Sequence, residues 1–190
     1  MFTYKNAGVD LDQANAIVGV IGELQQQSGM GKKLAQPFGL FAACYDLSDF
    51  KHPVIVTTCD GVGTKIQLHL KYDTLEFAGW DLVAMNVNDI LTANAWPLNF
   101  LDYIGVHAIE TPVIKRLVKG MVDGCNECHC LLAGGETAEM PGLVEKGNIE
   151  LSAFCVGAIE RENLLDYSRI KPGDVVLGWP SNGFHSNGYS

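Results

Sequence analysis

The chain has 190 residues, of which 47% are hydrophobic and 18% are charged, and its formal net charge is −9. This composition supports one domain with an ordinary buried core and a short appendage. A chain this acidic lacks the basic patch of a nucleic-acid surface, and it contains no apolar run of about 18 residues that would cross a membrane. Its first residues lack the apolar segment of a signal peptide, so we expect a cytoplasmic protein that binds neither nucleic acid nor membrane.

The apolar pattern predicts helices and strands in alternation. Helices are predicted at residues 11–27, capped by Asp10, at 75–94, and from Thr111, where a hydroxyl cap and Pro112 open the helix. Strands are predicted at residues 41–45, 54–58, 98–106, 130–133, 151–159 and 175–179, with a loop at 28–37 and a turn at 171–174. This order predicts an α+β fold in which a mixed β-sheet carries helices on one face.

The segment at residues 134–142 combines two glycines, the carboxylates Glu136 and Glu139, and a Pro-Gly turn. It follows an apolar run that we expect to end at Ala133. The glycines would then lie at a strand exit, where backbone N–H groups can approach a ligand closely. Carboxylates beside such a turn suit a hard cation such as Mg²⁺. A structural turn with two solvated acids accounts for the segment about equally well, because turn-forming glycines are common.

A second polar cluster follows the predicted strand at residues 54–58. Within six positions it contains a carboxylate, two glycines, a hydroxyl and an ammonium group, namely Asp60, Gly61, Gly63, Thr64 and Lys65. The glycines can expose N–H groups to phosphate oxygens, Lys65 can neutralise those oxygens, and Asp60 can hold a metal ion. The spacing is not that of a P-loop. A tight structural turn between two elements is the alternative interpretation.

The third cluster lies inside the predicted helix at residues 75–94. Asn86, Asn88 and Asp89 interrupt an otherwise apolar stretch, and Asn86 and Asp89 project from one side of the helix because they are three residues apart. Asparagine and aspartate are mediocre helix formers, since their side chains compete for backbone hydrogen bonds. A ligand or a metal ion explains this cost better than solvation does.

Several longer motifs occur in one order along the chain. They are Y-K-N-A-G-V-D at 4–10, D-G-V-G-T-K at 60–65, D-L-V-A-M-N-V-N-D-I at 81–90, F-L-D-Y at 100–103, G-G-E-T-A-E-M-P-G at 134–142, F-C-V-G at 154–157 and S-N-G-F-H-S-N-G-Y at 181–189. With these motifs the chain resembles the aminoimidazole ribonucleotide synthetases, or phosphoribosylformylglycinamidine cyclo-ligases, of purine biosynthesis. The resemblance covers nearly the whole chain. The resemblance is weakest at residues 36–41, Q-P-F-G-L-F. Family members have a glycine-rich segment here that is expected to contact the nucleotide.

The resemblance implies an enzyme that closes the imidazole ring of formylglycinamidine ribonucleotide with ATP and Mg²⁺, giving aminoimidazole ribonucleotide, ADP and phosphate. It implies that residues 1–165 form an ATP-binding amino-terminal domain and that 166–190 are a linker and the start of a second domain. It also implies a homodimer in which two sheets form a barrel. Because family members continue into a second domain of comparable size, we expect the 190-residue chain alone to be inactive or weakly active.

The resemblance and the clusters together predict the site residues. Three residues are predicted to take part in catalysis: Lys65, Asp89 and His185, the last beside a helix start at 186–188 that would hold the substrate phosphate. Predicted nucleotide-binding residues are Asp60, Gly61, Gly63, Thr64, Lys65, Asn86, Asn88, Gly135 and Thr137. Predicted metal ligands are Asp60, Asp89 and Glu136. Asp102 either joins the site or has an edge or capping role, Lys5 is a candidate for a phosphate of the neighbouring subunit, and the other histidines are interpreted as structural or solvated.

Two alternatives remain open from the sequence. One is another ATP-using enzyme of the same superfamily, such as selenophosphate synthetase, thiamine-phosphate kinase or the hydrogenase-maturation dehydratase. The other is a non-catalytic nucleotide-binding or dimerisation module. The segment C-N-E-C-H-C at residues 125–130 also suggests zinc, but it has no second C-x-x-C pair, and a structural zinc ion requires four ligands.

Overall fold

The computed structural model describes residues 11–26, 35, 42–181, 183 and 185. Within these residues the helices are α1 (Leu11–Gln26), α2 (Ile66–Lys71), α3 (Leu75–Thr92) and α4 (Thr111–Glu127), and the strands are β1 (Pro53–Gly61), β2 (Trp96–Val106), β3 (Leu131–Glu139) and β4 (Ile149–Glu160). Short 3₁₀ helices lie at Gly63–Lys65, Arg161–Asn163 and Tyr167–Arg169. The predicted cap at Asp10, the motif at 4–10 and the segment at 36–41 lie outside the described residues. No helix in the described part of the chain is long and apolar enough to cross a membrane.

The four strands form one mixed sheet in the order β1-β4-β2-β3. The pairs β1–β4 and β4–β2 are antiparallel, whereas β2 and β3 are parallel. A parallel pair needs a crossover connection, and α4 provides it between β2 and β3. The prediction of an α+β fold with a mixed sheet is therefore confirmed.

Helices α3 and α4 pack together over one face of this sheet, and the core lies between them and the strands. The inward side chains include Leu82 and Ile90 of α3, Leu117 of α4 and Phe100 of β2, each with no exposed surface. Helix α1 packs on α4, and its Ile17 is buried in the same core. The predicted inward residues of α4 are all buried: Ile114, Leu117, Val118, Met121 and Cys125.

The two packed helices approach each other closely at two glycines. A Cβ atom on Gly120 would overlap the backbone of Glu76, and one on Gly79 would lie 2.7 Å from the backbone nitrogen of Met121. Only glycine fits at such separations, since both obstacles are main-chain atoms. Arg116 of α4 adds a link to α3, because its Nε donates to Glu76 Oε2 over 2.9 Å.

The opposite face of the sheet is not covered by any described helix. Residues that are paired across neighbouring strands project from the same side of the sheet. The register pairs Phe154 with both Cys59 and Leu101, and all three lie on the uncovered side. Phe154 is 51% exposed and Ile55 is 48% exposed. We call this surface, made of the outward residues of β1, β4, β2 and β3, the open sheet face.

The sequence placed three segments wrongly. Strand β3 does not end at Ala133 but continues to Glu139, because β2 runs beside it to Val106 and supplies backbone partners along the whole length. Residues 175–179 form no strand, and no described strand pairs with them; Val175, Val176, Leu177 and Trp179 are each more than four-fifths exposed. Residues 42–45 contain only an isolated bridge position at residue 45, and Phe41 lies outside the described residues.

The start of α4 also differs from the prediction. Thr111 is the first helical residue rather than the cap, Glu110 occupies the cap position, and no side chain caps this helix. Pro112 lies in the first turn as predicted, where its missing N–H group costs nothing.

Candidate functional site

The end of β1 is tied to α3 by Asn86. Its side chain is completely buried, and its Oδ1 accepts the backbone N–H of Asp60 over 3.1 Å. Its Nδ2 donates to the carbonyl oxygen of Leu82 over 2.9 Å. The costly asparagine in an apolar helix is thus explained by bonds to the protein itself, and it fixes the position of the Asp60 backbone.

Asp89 lies one helical turn beyond Asn86 and is exposed. The hydroxyl of Thr58 donates to Asp89 Oδ2 over 2.8 Å. Thr58 and Asp60 are two residues apart on β1, so their side chains share the face toward α3. The structure therefore brings Asp60 and Asp89 to the same side of the sheet. Asn88 is exposed on the same helix, next to Asp89.

The chain turns sharply between β1 and α2. Gly61 N–H donates to Asp60 Oδ1 over 2.8 Å, which holds that carboxylate against the turn. Gly63 has φ +59°, a conformation that side chains disfavour, and there is open space where its Cβ would be. Thr64 is exposed in the short 3₁₀ helix that follows. The turn presents polar groups and backbone to solvent beside the Asp60 carboxylate.

Lys65 belongs to a charged network that the sequence analysis did not predict. Its Nζ forms an ion pair with Asp81 Oδ2, and the same oxygen lies 2.9 Å from His69 Nε2. His69 is buried, and its Nδ1 lies 2.9 Å from the carbonyl oxygen of Thr74. Burial raises the pKa of Asp81, but hydrogen bonds from His69 and Lys65 outweigh this effect and hold the pKa below its usual value. The network fixes the Lys65 ammonium group at the start of α2.

One signal in the sequence pointed to this network. Lys65 and His69 are four residues apart at the start of a helix, so they share a face. Their common partner Asp81 is on the next helix, and nothing local in the sequence connects it to them.

His185 lies next to Lys65 in the described part of the carboxy-terminal segment. Lys65 Nζ donates to the His185 carbonyl oxygen over 2.6 Å, and His185 Nε2 lies 3.5 Å from the Ser181 hydroxyl. Two of the three predicted catalytic residues are therefore neighbours. The predicted helix start at residues 186–188 lies outside the described residues.

Asp102 is a buried carboxyl group on the helix-covered face of β2, with 6% of its surface exposed. The ladders place Asp60, Ala153, Asp102 and Gly135 in one row across the sheet. A Cβ atom on Gly135 would overlap Asp102 Oδ1 and lie 2.6 Å from its Cγ, so a glycine is required beside this carboxyl. Burial, and secondarily the charge of Glu136, raises the pKa of Asp102 to about 7.

Glu136 and Thr137 lie on opposite faces of β3. Glu136 pairs with Tyr103 and is exposed on the open sheet face, whereas Thr137 pairs with the buried Ile104 on the helix-covered face. The structure thus separates Glu136 from Asp60 and Asp89 by the thickness of the sheet. Within the described residues, no group of three or more histidine, cysteine, aspartate or glutamate side chains is placed to hold a metal ion.

Residues 41–159 match the family model of the amino-terminal domain of AIR synthase related proteins. The chain belongs to this family. It is 43% identical over 187 residues to a phosphoribosylformylglycinamidine cyclo-ligase of Thermoanaerobacter pseudethanolicus, an alignment that covers 98% of the chain and 55% of that protein. A cyclo-ligase of Clostridium tetani is 44% identical over 190 residues, covering 100% of the chain and 57% of that protein. The chain spans about half the length of the curated relatives it matches.

Solved structures of other proteins share the fold of this family member. A thiamine-monophosphate kinase from Stenotrophomonas maltophilia matches with a TM-score of 0.60 and 19% identity, covering 79% of the chain and 43% of the kinase. The hydrogenase maturation protein HypE in complex with ATP matches with a TM-score of 0.59 and 18% identity, covering 84% of the chain and 44% of HypE. At these identities the likeness concerns the fold alone.

Proposed function

We propose that the chain is the ATP-binding part of a phosphoribosylformylglycinamidine cyclo-ligase, which closes the imidazole ring of formylglycinamidine ribonucleotide in purine biosynthesis. The observation that carries this proposal is 43–44% identity to proteins of that name over essentially the whole chain. The kinase and HypE, by contrast, share 18–19% identity with it. Residues 1–165 would form the nucleotide-binding domain, and 166–190 would lead into a second domain. The exposed apolar run at residues 175–179 supports this division, because it offers a surface for further protein to cover.

The donor set around β1 and α3 fits Mg²⁺. The carboxylates of Asp60 and Asp89 lie on one side of the sheet, with the Thr58 hydroxyl bonded to Asp89. Magnesium prefers oxygen ligands and is usually held by one or two carboxylates together with substrate phosphates and water. These two aspartates would hold the ion, which would neutralise phosphate charge, and Asn88 would orient its water ligands.

Lys65 is proposed to bind the phosphates of ATP. Asp81 and His69 hold its ammonium group in place, so little side-chain entropy would be lost when a phosphate binds. The backbone at Gly61, Gly63 and Thr64 would contribute N–H groups. Asn86 contributes indirectly, by fixing the Asp60 backbone rather than by touching the nucleotide.

Gly135, Thr137 and His185 are proposed to complete the nucleotide and substrate sites. Gly135 lies in the same row of the sheet as Asp60, and Thr137 is half-buried two residues further along. His185 would bind the substrate phosphate or carry a proton, and its backbone carbonyl oxygen lies beside the Lys65 ammonium group.

In the proposed reaction, the substrate amide oxygen takes the terminal phosphoryl group of ATP, whose bond to the bridging oxygen breaks so that ADP leaves. An amidine nitrogen then attacks the same carbon, and phosphate departs with the former amide oxygen. The protein's task is to position the two substrates and to neutralise charge. The test gives the protein with its proposed second domain unlabelled ATP and a substrate that carries ¹⁸O at the amide oxygen. The label should appear in the inorganic phosphate that is released. Release of the label to water would exclude the phosphorylated-amide route.

The open sheet face is proposed to form the homodimer contact. It presents Ile55 and Phe154 with about half of each side chain exposed, and such apolar patches are usually covered by protein. Glu136 lies on this face, so any metal contact it makes would occur at the dimer and not with Asp60 of its own chain. Phe154→Glu should convert a dimer to a monomer in sedimentation equilibrium, whereas Val18→Glu, on the exposed side of α1, should not. A wild-type monomer at micromolar concentration would contradict the proposed dimer.

The proposed nucleotide site is tested by calorimetric titration with Mg-ATP. Asp89→Asn should weaken binding at least tenfold, because it removes an anionic metal ligand, and it should leave the thermal unfolding temperature unchanged or higher. The control is Asp123→Asn, which removes a surface carboxylate that pairs with Lys119 on α4. Equal affinity in the wild type and Asp89→Asn would exclude Asp89 as a ligand. ATP binding without turnover of formylglycinamidine ribonucleotide by the full-length protein would favour another ATP user of the superfamily.

A further inference from the structure

The buried ring of His69 lies between the α2–α3 turn and the ion pair of Lys65 with Asp81. Its Nε2 atom is 2.9 Å from Asp81 Oδ2, and its Nδ1 atom is 2.9 Å from the carbonyl oxygen of Thr74. The Asp81 oxygen that faces the ring is the same one that the Lys65 ammonium group contacts. Two basic side chains therefore share one carboxylate oxygen. The side chains of Lys65, Asp81 and His69 are only 13%, 18% and 7% exposed.

The α2–α3 turn fixes the oxygen that faces Nδ1. The backbone N–H of Thr74 donates to the carbonyl oxygen of His69 over 2.9 Å, which closes the turn. Asp73, just before Thr74, has φ +55°, so the chain reverses there. The oxygen beside Nδ1 belongs to the Thr74 backbone, and it cannot turn away from the ring as a side chain can.

Both ring nitrogens of His69 thus face oxygen atoms that only accept hydrogen bonds. A neutral imidazole has one N–H group, and its other nitrogen would point a lone pair at an oxygen lone pair. The Thr74 hydroxyl, 3.0 Å from Nδ1, can donate to a bare nitrogen, but the Thr74 carbonyl oxygen would still oppose that nitrogen. A ring with a hydrogen on each nitrogen satisfies both 2.9 Å contacts. The carboxylate of Asp81 supplies the opposite charge that a buried imidazolium requires.

The elements around α2 bring these charges to the ring and direct others elsewhere. Asp81 comes from α3, and Lys65 comes from the 3₁₀ helix that precedes α2. Within the described residues, β4 adds no charge on this side, since its inward residues there are Ile149 and Leu151. The other charged side chains of the α2–α3 region have partners of their own: Asp73 and Glu76 pair with Arg116, and Lys71 lies over the ring of Tyr72.

We propose that His69 is a positioning residue of the nucleotide site, whose imidazolium balances the charge of Asp81 so that the charge of Lys65 stays available to a phosphate. The opposite charges of Lys65 and Asp81 cancel, so the three side chains together are neutral with a neutral ring. They carry one net positive charge when both ring nitrogens bear hydrogen. A phosphate near Lys65 then meets a positive potential instead of a compensated ion pair. This role depends on the proposed binding of ATP by Lys65, whereas the protonation of the ring depends on the contact geometry alone.

The protonation of the ring is tested by NMR on the wild-type 190-residue chain labelled with ¹⁵N-histidine. The ring signals of His69 are assigned through bonds to its backbone, so the measurement does not depend on a variant that folds. At pH 7 both ring nitrogens should have the chemical shift of a protonated nitrogen. A bare nitrogen at either ring position would overturn the proposal.

The role of the charge is tested with His69→Gln in calorimetric titrations with Mg-ATP. The glutamine amide can still donate to Asp81, but it has no charge. At pH 7 the variant should bind Mg-ATP roughly three- to tenfold more weakly than the wild type. The difference should shrink as the pH is raised to 9, because the wild-type ring then loses its second proton. The control is His107→Gln, whose ring contacts the carbonyl oxygen of Val144 and which should match the wild type at each pH.

The pH profile separates this role from a merely structural one. Loss of packing would weaken Mg-ATP binding in His69→Gln by the same factor at every pH, and that result would overturn the proposal. Equal affinity of His69→Gln and the wild type at pH 7 would overturn it as well. If the wild type does not bind Mg-ATP at all, the proposed nucleotide site is wrong and the role of His69 falls with it. The NMR spectrum would still decide whether the ring is an imidazolium.

Discussion

The Asn86 side chain accepts a hydrogen bond from the backbone N–H of Asp60 over 3.1 Å, and this contact helps to hold α3 against the end of the edge strand β1. One side of an edge strand has backbone N–H and C=O groups that no neighbouring strand pairs. Burying such a group costs free energy unless it finds another hydrogen-bond partner. Asn86 is that partner. The same contact sets the position from which the Asp60 carboxylate is presented.

We expect Asn86→Leu to lower the free energy of unfolding by roughly 1–3 kcal/mol, because it leaves the half-buried Asp60 N–H without its acceptor. Asn88→Leu, two residues further on the exposed side of α3, should change stability by less than about 0.5 kcal/mol. Urea denaturation of both variants measures the difference. Equal stabilities would mean that the bond is dispensable for the fold.

The two adjacent glycines of β3 should respond differently to alanine. A Cβ atom on Gly135 would collide with the backbone and the carboxyl group of Asp102, so Gly135→Ala should destabilise the protein by roughly 1–3 kcal/mol. No atom lies within 4 Å of a Cβ atom built on Gly134, so Gly134→Ala should be neutral or stabilising by about 0.4–1 kcal/mol. The melting temperatures of Gly134→Ala and Gly135→Ala, measured by thermal unfolding, test this difference. Similar values for the two variants would contradict the strand register that places Gly135 beside Asp102.

Asp102 should make stability depend on pH between about 4 and 7. Its folded pKa of about 7 exceeds the ordinary value of 3.8, so the folded state binds more protons than the unfolded state in this window, and stability falls as pH rises through it. The loss is of order 4 kcal/mol, from about 1.4 kcal/mol per pKa unit. Asp102→Asn should flatten this slope and be more stable than the wild type at pH 8. Parallel pH profiles of denaturant midpoints for the two proteins would show that Asp102 does not titrate in this way.

The ion pair of Asp81 should act in the opposite pH direction. Its folded pKa lies below the unfolded one, so its stabilisation is present above about pH 4 and is lost as pH falls through the folded pKa. At pH 7, Asp81→Asn should cost roughly 1–3 kcal/mol, because Lys65 and His69 lose a charged partner in a half-buried place.

The same substitution should weaken Mg-ATP binding by releasing Lys65 from its fixed position, if Lys65 binds the phosphates as proposed. Asp123→Asn removes an exposed i,i+4 pair and should cost about 0.5 kcal/mol or less. An affinity unchanged in Asp81→Asn, despite a measured loss of stability, would separate the structural role of Asp81 from any role in positioning Lys65.

The sequence predicted the elements whose pattern is set locally. The helices α1, α3 and α4 and the strands β1, β2 and β4 lie where the apolar periodicity placed them, because each buries one regular face. The length of β3 could not be predicted from its own residues, because two consecutive glycines, Gly134 and Gly135, are typical of the end of a strand. The strand continues through them because β2 supplies backbone hydrogen-bond partners there. The apolar run at residues 175–179 read as a strand, but a strand needs a partner, and no described strand supplies one.

The candidate site was predictable in its motifs but not in its geometry. Asp60, Asp89 and Lys65 were identified from residue type and spacing, and the fold places them around the ends of β1 and α3. The ion pair of Lys65 with Asp81 joins separate helices, so local spacing did not indicate it. Glu136 lies on the open sheet face because it is paired with Tyr103. This pairing between separate strands cannot be predicted from the residues near Glu136.

The close crossing of α3 and α4 at Gly79 and Gly120 constrains how this protein can change. Because the two main chains are already in contact, α3 cannot move toward α4 to accommodate a larger ligand, and a side chain at either glycine would push α3 away. Helix α3 carries Asp81, Asn86 and Asp89, so a displacement of the helix would move all three residues together. If the site proposed above binds a nucleotide, adaptation to a different one would therefore fall to the turn at residues 61–65, which lies outside both helices.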